Sequence, residues 1–212
     1  MNKGIIITLP NADFVTDYLS KYSSQIIKEA ENRNINIKTL TEKKANRAEF
    51  ESSIKKLNYK MLVFNGHGSK DSIEGHNNTI IDLKNAELLK DRITYARCCD
   101  AAAILGNESM KNNKEGCFIG YLFKFMLYID ENRETNPKKD SIAPLFLQPS
   151  NLIPISIIKG NTASAANVNS KKQTLKNINK MMRSGKVPFL LINAMWNNYS
   201  GQILIGNENA TL

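Results

Sequence analysis

The sequence predicts an α/β protein with a mainly parallel central sheet that is flanked by helices. Through residues 1–121, short apolar runs alternate with stretches in which apolar residues recur at the helical period. This alternation is typical of strands joined by crossover helices, which make the strands parallel and cover both faces of the sheet. The 212 residues are enough for one substantial hydrophobic core.

Five strands are predicted from runs rich in β-branched and aromatic residues. In chain order they are 4-GIIITL-9, 34-NINIKTL-40, 60-KMLVFN-65, 92-RITYAR-97 and 116-GCFIGY-121. Helices are predicted between the strands, near residues 12–31, 43–57, 83–90 and 100–112. The polar segment 70–81 carries two isoleucine-containing arms, which predicts a small hairpin after the third strand.

The segment 130-DENRETNPKKDS-141 is charged and aperiodic, and it is predicted to be a linker. It divides one domain into a large portion, residues 1–129, and a small portion, residues 142–212. The small portion is expected to complete the sheet and a substrate groove.

Three elements are predicted within the small portion. Residues 142–158 are apolar but contain three prolines, so short helical turns or irregular structure are expected. An amphipathic helix is predicted over 162–184, followed by Gly185. Residues 188–207 are predicted to form two strands joined by a turn.

Composition narrows the class of protein. No window has the roughly 18 consecutive apolar residues of a membrane helix, and residues 1–7 resemble a first strand rather than a signal peptide. We therefore expect a cytosolic protein without a membrane partner. With three cysteines, two of them adjacent, a disulfide framework is excluded and reduced thiols are expected.

The chain is basic, with a formal net charge of +9. Its lysines are scattered and are not interleaved with aromatic residues, so no specific nucleic-acid partner is expected. We interpret the charge as a solvated basic face that is suited to docking an acidic partner.

Two predicted strand ends carry residues suited to chemistry. The third strand ends in Asn65-Gly66-His67-Gly68, and Cys98 and Cys99 follow the fourth. In open parallel sheets, ligands gather beyond the carboxyl ends of the strands. If the two strands are neighbours, their axes are about 4.8 Å apart. We therefore expect the imidazole and a thiol to meet at one site.

A thiol beside an imidazole suits nucleophilic catalysis. The thiolate attacks, and a free thiol with a pKa of about 8.5 is only slightly ionised at neutral pH, so a base that takes its proton activates it. A cysteine opening the predicted 100–112 helix would also feel the positive end of the helix dipole. Gly66 and Gly68 permit close backbone approach, and the Gly68 N–H can join the cysteine's own N–H in an oxyanion hole.

Either feature alone has a simpler interpretation. Buried cysteines act as small apolar residues, and Gly-His-Gly suits a turn. Their coincidence at the ends of two candidate neighbouring strands favours a functional site.

The strand ending in Asn65-Gly66-His67-Gly68-Ser69, followed by a strand ending in a small residue plus Cys, resembles the caspase-like (clan CD) cysteine peptidases. The match is closest in style to the gingipains and CHAT-domain proteases, and it is best over residues 58–125. The resemblance implies a caspase-hemoglobinase-like three-layer sandwich. It also implies an endopeptidase that cleaves proteins through a Cys-His dyad and a thioester acyl-enzyme, without a metal or organic cofactor.

The family pattern is a polar residue, a small residue, the nucleophilic Cys, any residue and then small residues. Cys99 is the preferred nucleophile, because Arg97 and Cys98 then occupy the first two positions. Cys98 is the alternative nucleophile, although it would place Arg97 where the family has Ala, Ser or Gly. Cys117 is expected in the core.

The resemblance also implies roles for other residues. His67 would be the general base and acid, and the N–H groups of Gly68 and Cys99 would form the oxyanion hole. In the family, the residue two before the nucleophile lines the substrate pocket, so Arg97 would favour an acidic substrate residue. The alternative is that Arg97 turns to solvent or to Asp100. The substrate site is expected to include Arg97, Asn65, Ser69 and Trp196.

Other functions are weaker interpretations. His67, His76 and the two cysteines do not have zinc-ligand spacing, so His76 is expected to be an exposed loop residue. A phosphate-binding domain is disfavoured because the Gly-His-Gly loop lacks a glycine-rich phosphate fingerprint. The main alternative is a catalytically inactive caspase-like binding module.

Control of a small peptidase is expected to need a regulatory protein partner, a zymogen state or substrate recognition at a distance. The 130–141 linker lies where some family members are cut to mature, so it is either a place of self-cleavage or an uncut exposed loop. The resemblance to the caspase-like family suggests a role in bacterial stress or defence.

Overall fold

The computed structural model describes residues 1–130, 132, 139–185 and 188–212. The first part of the chain contains β1 (Asn2–Leu9), α1 (Phe14–Tyr22), α2 (Ser24–Asn32), β2 (Asn36–Thr41), α3 (Arg47–Leu57), β3 (Tyr59–Asn65), β4 (Ser72–Glu74), β5 (Thr79–Asp82), β6 (Ile93–Arg97), α4 (Leu105–Met110) and β7 (Cys117–Tyr121). The second part contains α5 (Ala143–Ile158), α6 (Ala163–Ser184), α7 (Phe189–Gly201) and β8 (Gln202–Gly206). Short 3₁₀ helices lie at Glu42–Lys44 and Ala86–Leu89.

Six strands form the central sheet in the order β2-β1-β3-β6-β7-β8. The first five are parallel, and β8 pairs antiparallel with β7 at the edge. The fold class predicted from the sequence, an α/β sandwich with a mainly parallel sheet, is confirmed. The five predicted strands are present with shifts of at most about two residues at their ends.

Side chains alternate between the two faces of the sheet, and each face is covered. Leu62 and Phe64 of β3 belong to a core with α3, α4 and the β4–β5 hairpin. Met61 and Val63 of the same strand belong to a core on the other face, with α2, α5 and α6. The sheet lies between these two cores, so the molecule has three layers, with helices on both sides of the sheet. The hairpin predicted over 70–81 is confirmed as the antiparallel pair β4–β5.

The helix predicted at 12–31 is divided at Ser23, which lies between α1 and α2. The Ser23 hydroxyl donates to the Leu19 carbonyl and accepts from the buried side chain of Arg97. A side-chain bond to the backbone competes with helix continuation, which accounts for the break.

The expectation of irregular structure at 142–158 is wrong, because α5 runs continuously through this segment. Pro144 stands in the first turn, where its missing N–H has no helical partner in any case. Pro149 and Pro154 lie inside the helix and are buried. The Asp140 carboxylate accepts hydrogen bonds from the N–H groups of Ile142 and Ala143 and so caps the helix.

The two-strand prediction for 188–207 is half wrong. Residues Phe189–Gly201 form α7, and only Gln202–Gly206 forms a strand. Leu191 and Met195, four residues apart, pack with Phe146 and Ile178 in a core beside α5 and α6. The amphipathic helix predicted at 162–184 is confirmed as α6, with Thr162 as its N-cap and Gly185 at its end in the left-handed conformation.

Within the described part of the chain, no helix has the length and apolar character needed to cross a membrane.

Candidate active site

The predicted neighbours β3 and β6 are paired in the structure. Their register places Asn65 opposite Arg97, the last residue of each strand. His67 and Cys99 each follow two residues later, so both lie at the same carboxyl edge of the sheet. The two strand ends identified from the sequence therefore meet at one place.

Gly66 and Gly68 bring the His67 loop close to its surroundings. Gly66 has φ +155°, and a Cβ atom there would lie 2.1 Å from the carbonyl oxygen of Glu74. A Cβ at Gly68 would lie 2.7 Å from the Cys99 carbonyl oxygen and 3.1 Å from the Cys98 Sγ. Both values are shorter than van der Waals contact, so only glycine lets this loop pack against the two cysteines.

The main chain of the loop is fixed by the β4 strand. Gly68 forms an antiparallel bridge with Ile73, whose hydrogen bonds run from Ser69 N–H to Ser72 O and from Glu74 N–H to His67 O, both 3.0 Å. Gly68 is thus the non-hydrogen-bonded member of the pair, and its own N–H points away from β4. That N–H is therefore a candidate donor to a ligand.

Asp13 is a site residue that the sequence interpretation missed. Its Oδ2 lies 2.5 Å from Nε2 of His67. Asp13 is the N-cap of α1, where its Oδ1 accepts from the Thr16 N–H at 2.9 Å. Burial alone would raise the pKa of Asp13, but the hydrogen bonds from Thr16 and His67 outweigh it and the pKa is lowered. An anionic Asp13 at Nε2 leaves Nδ1 as the ring nitrogen for a second partner.

The two adjacent cysteines have different surroundings. Cys98 is 2% exposed, and burial raises the pKa of its thiol well above the ordinary value. Cys99 is half-buried. Burial raises the pKa of the Cys99 thiol, and the Asp100 carboxylate adds to the effect. The Phe125 N–H, which donates to the thiol, and the Lys124 ammonium act in the opposite direction.

Cys99 does not open a helix, which corrects the prediction of a helix at 100–112 and of a dipole effect. Asp100 has φ +57°, and turns occupy residues 101–104 before α4 begins at Leu105. The Ala102 N–H donates instead to the Tyr121 carbonyl at 3.1 Å. The segment after Cys99 therefore runs beside the end of β7 rather than turning into a helix.

The position of Arg97 does not fit a residue that lines a substrate pocket. Its side chain is completely buried, and burial lowers the pKa of the guanidinium. It donates to neutral protein acceptors at 2.5–3.1 Å, which are Asn65 Oδ1, Ser150 Oγ, Asn151 Oδ1, Leu19 O and Ser23 Oγ. The predicted contact with an acidic substrate residue is therefore corrected, as is the alternative that Arg97 turns to solvent.

Asn65 is also fully buried, which removes it from a substrate surface. It accepts from Arg97 and donates to the Thr8 carbonyl at 2.7 Å, and so it joins β1, β3 and β6. Ser69 is partly exposed. Its hydroxyl donates a hydrogen bond to the Asp71 carboxylate and shares another with the Ser72 hydroxyl. It stabilises the turn after the histidine.

The remaining sequence candidates, Trp196 and His76, lie on other elements than the two strands. Trp196 is on α7, where its ring meets Tyr199 edge-on at 5.3 Å, rather than in the predicted hairpin. His76 is half-buried in the β4–β5 turn, and its N–H donates to the Ala45 carbonyl. Among the described residues, no group of three or more His, Cys, Asp or Glu side chains is placed to hold a metal ion.

Comparisons with known proteins bear on the fold. No family model and no curated protein matches the sequence. Among solved structures, the Arg-specific cysteine proteinase gingipain R aligns with a TM-score of 0.60 at 10% identity, covering 99% of this chain and 47% of that one. A complex of the pro- and mature domains of the gingipain RgpB from Porphyromonas gingivalis aligns with a TM-score of 0.59 at 8% identity, covering 99% and 48%.

A third structure, described as a protease, aligns with a TM-score of 0.56 at 13% identity, covering 99% and 48%. The chain thus spans about half the length of these neighbours. Sequence identities of this size establish the fold alone. The chain has the α/β fold that is seen in gingipain R.

Proposed function

We propose that the protein is a cysteine endopeptidase that uses Cys99 as nucleophile and His67 as general base and acid. The proposal is supported chiefly by the register of β3 and β6, which sets His67 and Cys99 two residues beyond paired strand ends at one edge of the sheet. The gingipain-like fold agrees with this reaction class.

Cys99 is the better nucleophile of the two cysteines because a substrate carbonyl can reach it. Cys98 is 2% exposed and its sulfur packs against Gly68. Cys99 is half-buried, and its sulfur already receives a hydrogen bond from the Phe125 N–H, a donor that favours the thiolate.

Asp13 is proposed to orient the imidazole. With its carboxylate on Nε2, the ring presents Nδ1 to the thiol and the positive charge that develops during proton transfer is stabilised. The raised pKa of Cys99 means that little thiolate forms unaided at neutral pH, so the reaction needs this base.

In the proposed reaction, Nδ1 of His67 takes the Cys99 proton as the sulfur attacks the carbonyl carbon of the substrate. The oxyanion accepts hydrogen bonds from the N–H groups of Gly68 and Cys99, of which each donor is typically worth about 3–4 kcal/mol. The imidazolium gives its proton to the leaving amine and a thioester remains. Water, deprotonated by His67, then hydrolyses the thioester and regenerates the thiol.

We propose that the protein has two kinds of partner, a protein substrate and a protein regulator. The gingipain structure in which pro- and mature domains form a complex supports the proposal of a protein partner. In this chain, the charged segment 130–141 divides the two portions of the fold and is the proposed place of self-cleavage. Comparison of the intact mass with that of Cys99→Ala tests this step, since masses that differ only by the sulfur atom lost in the substitution exclude self-processing.

The decisive test of the function is a search for new peptide termini. Proteins from a lysate are incubated with the wild-type chain, Cys99→Ala, His67→Ala or Cys98→Ala, and new termini are counted by mass spectrometry. We expect termini with the wild type and Cys98→Ala, and a loss of at least about 100-fold in Cys99→Ala and His67→Ala. Termini that persist in both loss variants would exclude the dyad.

A wild-type chain that forms no new termini, with or without prior nicking of the 130–141 segment, would favour the inactive binding module.

A further inference from the structure

The charge of the molecule is concentrated in its second part. Between Asp140 and Glu208 the sequence contains seven basic residues and no acidic residue, so this segment carries +7 of the net charge of +9. α5 and α7 have no charged side chain, whereas α6 has five basic residues. An asymmetry of this size creates a positive potential over one helical layer.

The exposed face of α6 collects most of these cations. This open face includes Lys172, Leu175, Lys176, Asn179, Lys180 and Arg183. The three lysines are four residues apart, so their stems follow one line along the helix at intervals of about 6 Å. With Arg183 the line is about 16 Å long.

Other cations of this segment are engaged elsewhere. Lys159 faces Glu29 at 4.0 Å, and the Lys171 ammonium lies 5.1 Å from the centre of the Tyr199 ring. Within the parts of the chain that the structure covers, no ion pair joins Lys172, Lys176 or Lys180 to a carboxylate. The described residues therefore leave this line of lysines without a carboxylate partner.

Apolar side chains lie at the C-terminal end of this line. Met182 of α6 is 59% exposed, and Phe189 and Leu190 at the start of α7 are 73% and 57% exposed. These are the most exposed large apolar side chains of the described residues. The start of α7 lies beside the end of α6, since the two helices share a core. The end of α6 and the start of α7 thus bring positive charge and exposed apolar side chains into one region of the surface.

We propose that this face of α6, together with Phe189 and Leu190, is a docking surface for an acidic polypeptide segment that also carries large apolar side chains. Glu residues at every fourth position of a partner helix match the lysine spacing. The apolar end then receives a Leu-type or Phe-type side chain. Of the described residues that form this surface, only Phe189 is aromatic, so the surface offers no series of rings on which successive bases could stack, which disfavours single-stranded nucleic acid.

The surface is independent of the proposed peptidase site. It is built from α6 and α7, and it includes neither His67 nor Cys99. A protein that binds here would be either a regulator or a substrate that is held at a distance from the peptide bond to be cleaved.

The test uses binding measured by fluorescence anisotropy. The labelled probe is a 20-residue synthetic helix of Glu, Leu and Ala with Glu at every fourth position; the comparison probes are the same peptide with Gln for Glu, a 20-base-pair DNA duplex, and phosphatidylserine vesicles. The full chain and the variant Lys172→Glu/Lys176→Glu/Lys180→Glu are titrated at about 50 mM and 200 mM salt. A matched control reverses three exposed lysines of other helices, Lys28, Lys55 and Lys56.

We expect the Glu peptide to bind the wild type and the matched control, to bind the α6 variant at least about tenfold more weakly, and to bind less well at high salt. The Gln peptide should bind at least about tenfold more weakly than the Glu peptide. If the charge-reversed variant folds poorly, Lys172→Gln/Lys176→Gln/Lys180→Gln replaces it, because this variant removes the same charges without reversing them. It should also bind the Glu peptide more weakly than the wild type does. Absence of Glu-peptide binding at low salt, equal loss in the matched control, or tighter binding of DNA or vesicles would each overturn the proposal.

Discussion

At the scale of single residues, the environment of Cys99 decides how the proposed nucleophile behaves. Four influences act on its thiol: burial and Asp100 raise the pKa, and the Phe125 N–H and Lys124 lower it. Lys124 is exposed, and its carbonyl is held by the side chain of Asn197. The two opposed charges beside the thiol offer a direct way to change its ionisation in either direction.

We expect Lys124→Gln to raise the pKa of Cys99 further and Asp100→Asn to lower it, because each substitution removes one charge beside the thiol. The rate of Cys99 alkylation by iodoacetamide, followed by mass spectrometry against pH, should move to higher pH in Lys124→Gln and to lower pH in Asp100→Asn. Lys90→Gln, an exposed lysine that is not among the groups acting on Cys99, is the control. Shifts of the same sign in both variants would contradict the electrostatic explanation.

The sequence predicted Cys99 and His67 because each follows an apolar run and because residues after parallel strands meet at one edge. It did not predict Asp13, since a carboxylate that reaches the histidine from 54 residues away leaves no local pattern. The only sequence signal was the capping box with Thr16, which predicts a helix start and not a partner. The pocket role of Arg97 came from the resemblance alone, and the sequence could not show its burial because its acceptors come from distant parts of the chain.

At the scale of elements, Arg97 is the link between the sheet and one helical layer. Its guanidinium bonds Asn65 at the end of β3, Leu19 of α1, Ser23 between α1 and α2, and Ser150 and Asn151 of α5. Because Asp13, the N-cap of α1, contacts His67, this link helps to fix the distance between the candidate site and α1.

We expect Arg97→Lys to lower the free energy of unfolding by about 3–5 kcal/mol, because lysine has too few donors to satisfy these buried acceptors. Arg92→Lys, at the opposite end of the same strand and partly exposed, should cost only about 1 kcal/mol. Urea unfolding at pH 7 measures both. Equal losses in the two variants would show that the buried network has no special role.

The errors in α5 and α7 have a common cause at this scale. The prolines of 142–158 predict breaks, but a buried helix that packs on α2 and α6 accommodates them. In 188–207, β-branched and aromatic residues favour strands. The sequence also contains apolar residues at the helical spacing, Leu191 and Met195. In the structure, Asn198 hydrogen-bonds both the N–H and the carbonyl of Met126 and so fixes α7 against the chain after β7. In both segments, tertiary packing determined the secondary structure against the local propensity of the residues.

At the scale of the whole molecule, the two portions separated by the 130–141 segment share one sheet. β8 pairs with β7 over five residues, from Cys117 opposite Gly206 to Tyr121 opposite Gln202. Asp140 accepts hydrogen bonds from Tyr18 of α1 at 2.7 Å and from the Asp130 N–H at 3.0 Å, so it fastens both sides of the segment to the first portion.

A chain that is cut between these points should therefore stay together. We expect a variant with a protease recognition sequence in place of residues 133–138 to elute as one species from gel filtration after cutting, and to separate into two fragments only in denaturant. The uncut variant is the control. Elution of two species in native buffer would show that β8 and Asp140 do not hold the portions together.

The central claim is that His67 activates Cys99 for attack on a peptide carbonyl. The most direct measurement is the site and rate of covalent labelling by a library of peptides with an electrophilic ketone at the C-terminus, mapped by mass spectrometry at pH 7. The account predicts an adduct on Cys99 that forms at least about 100-fold more slowly in His67→Ala, with an intermediate rate in Asp13→Asn. An adduct on Cys98, or labelling of Cys99 that does not depend on His67, would contradict it.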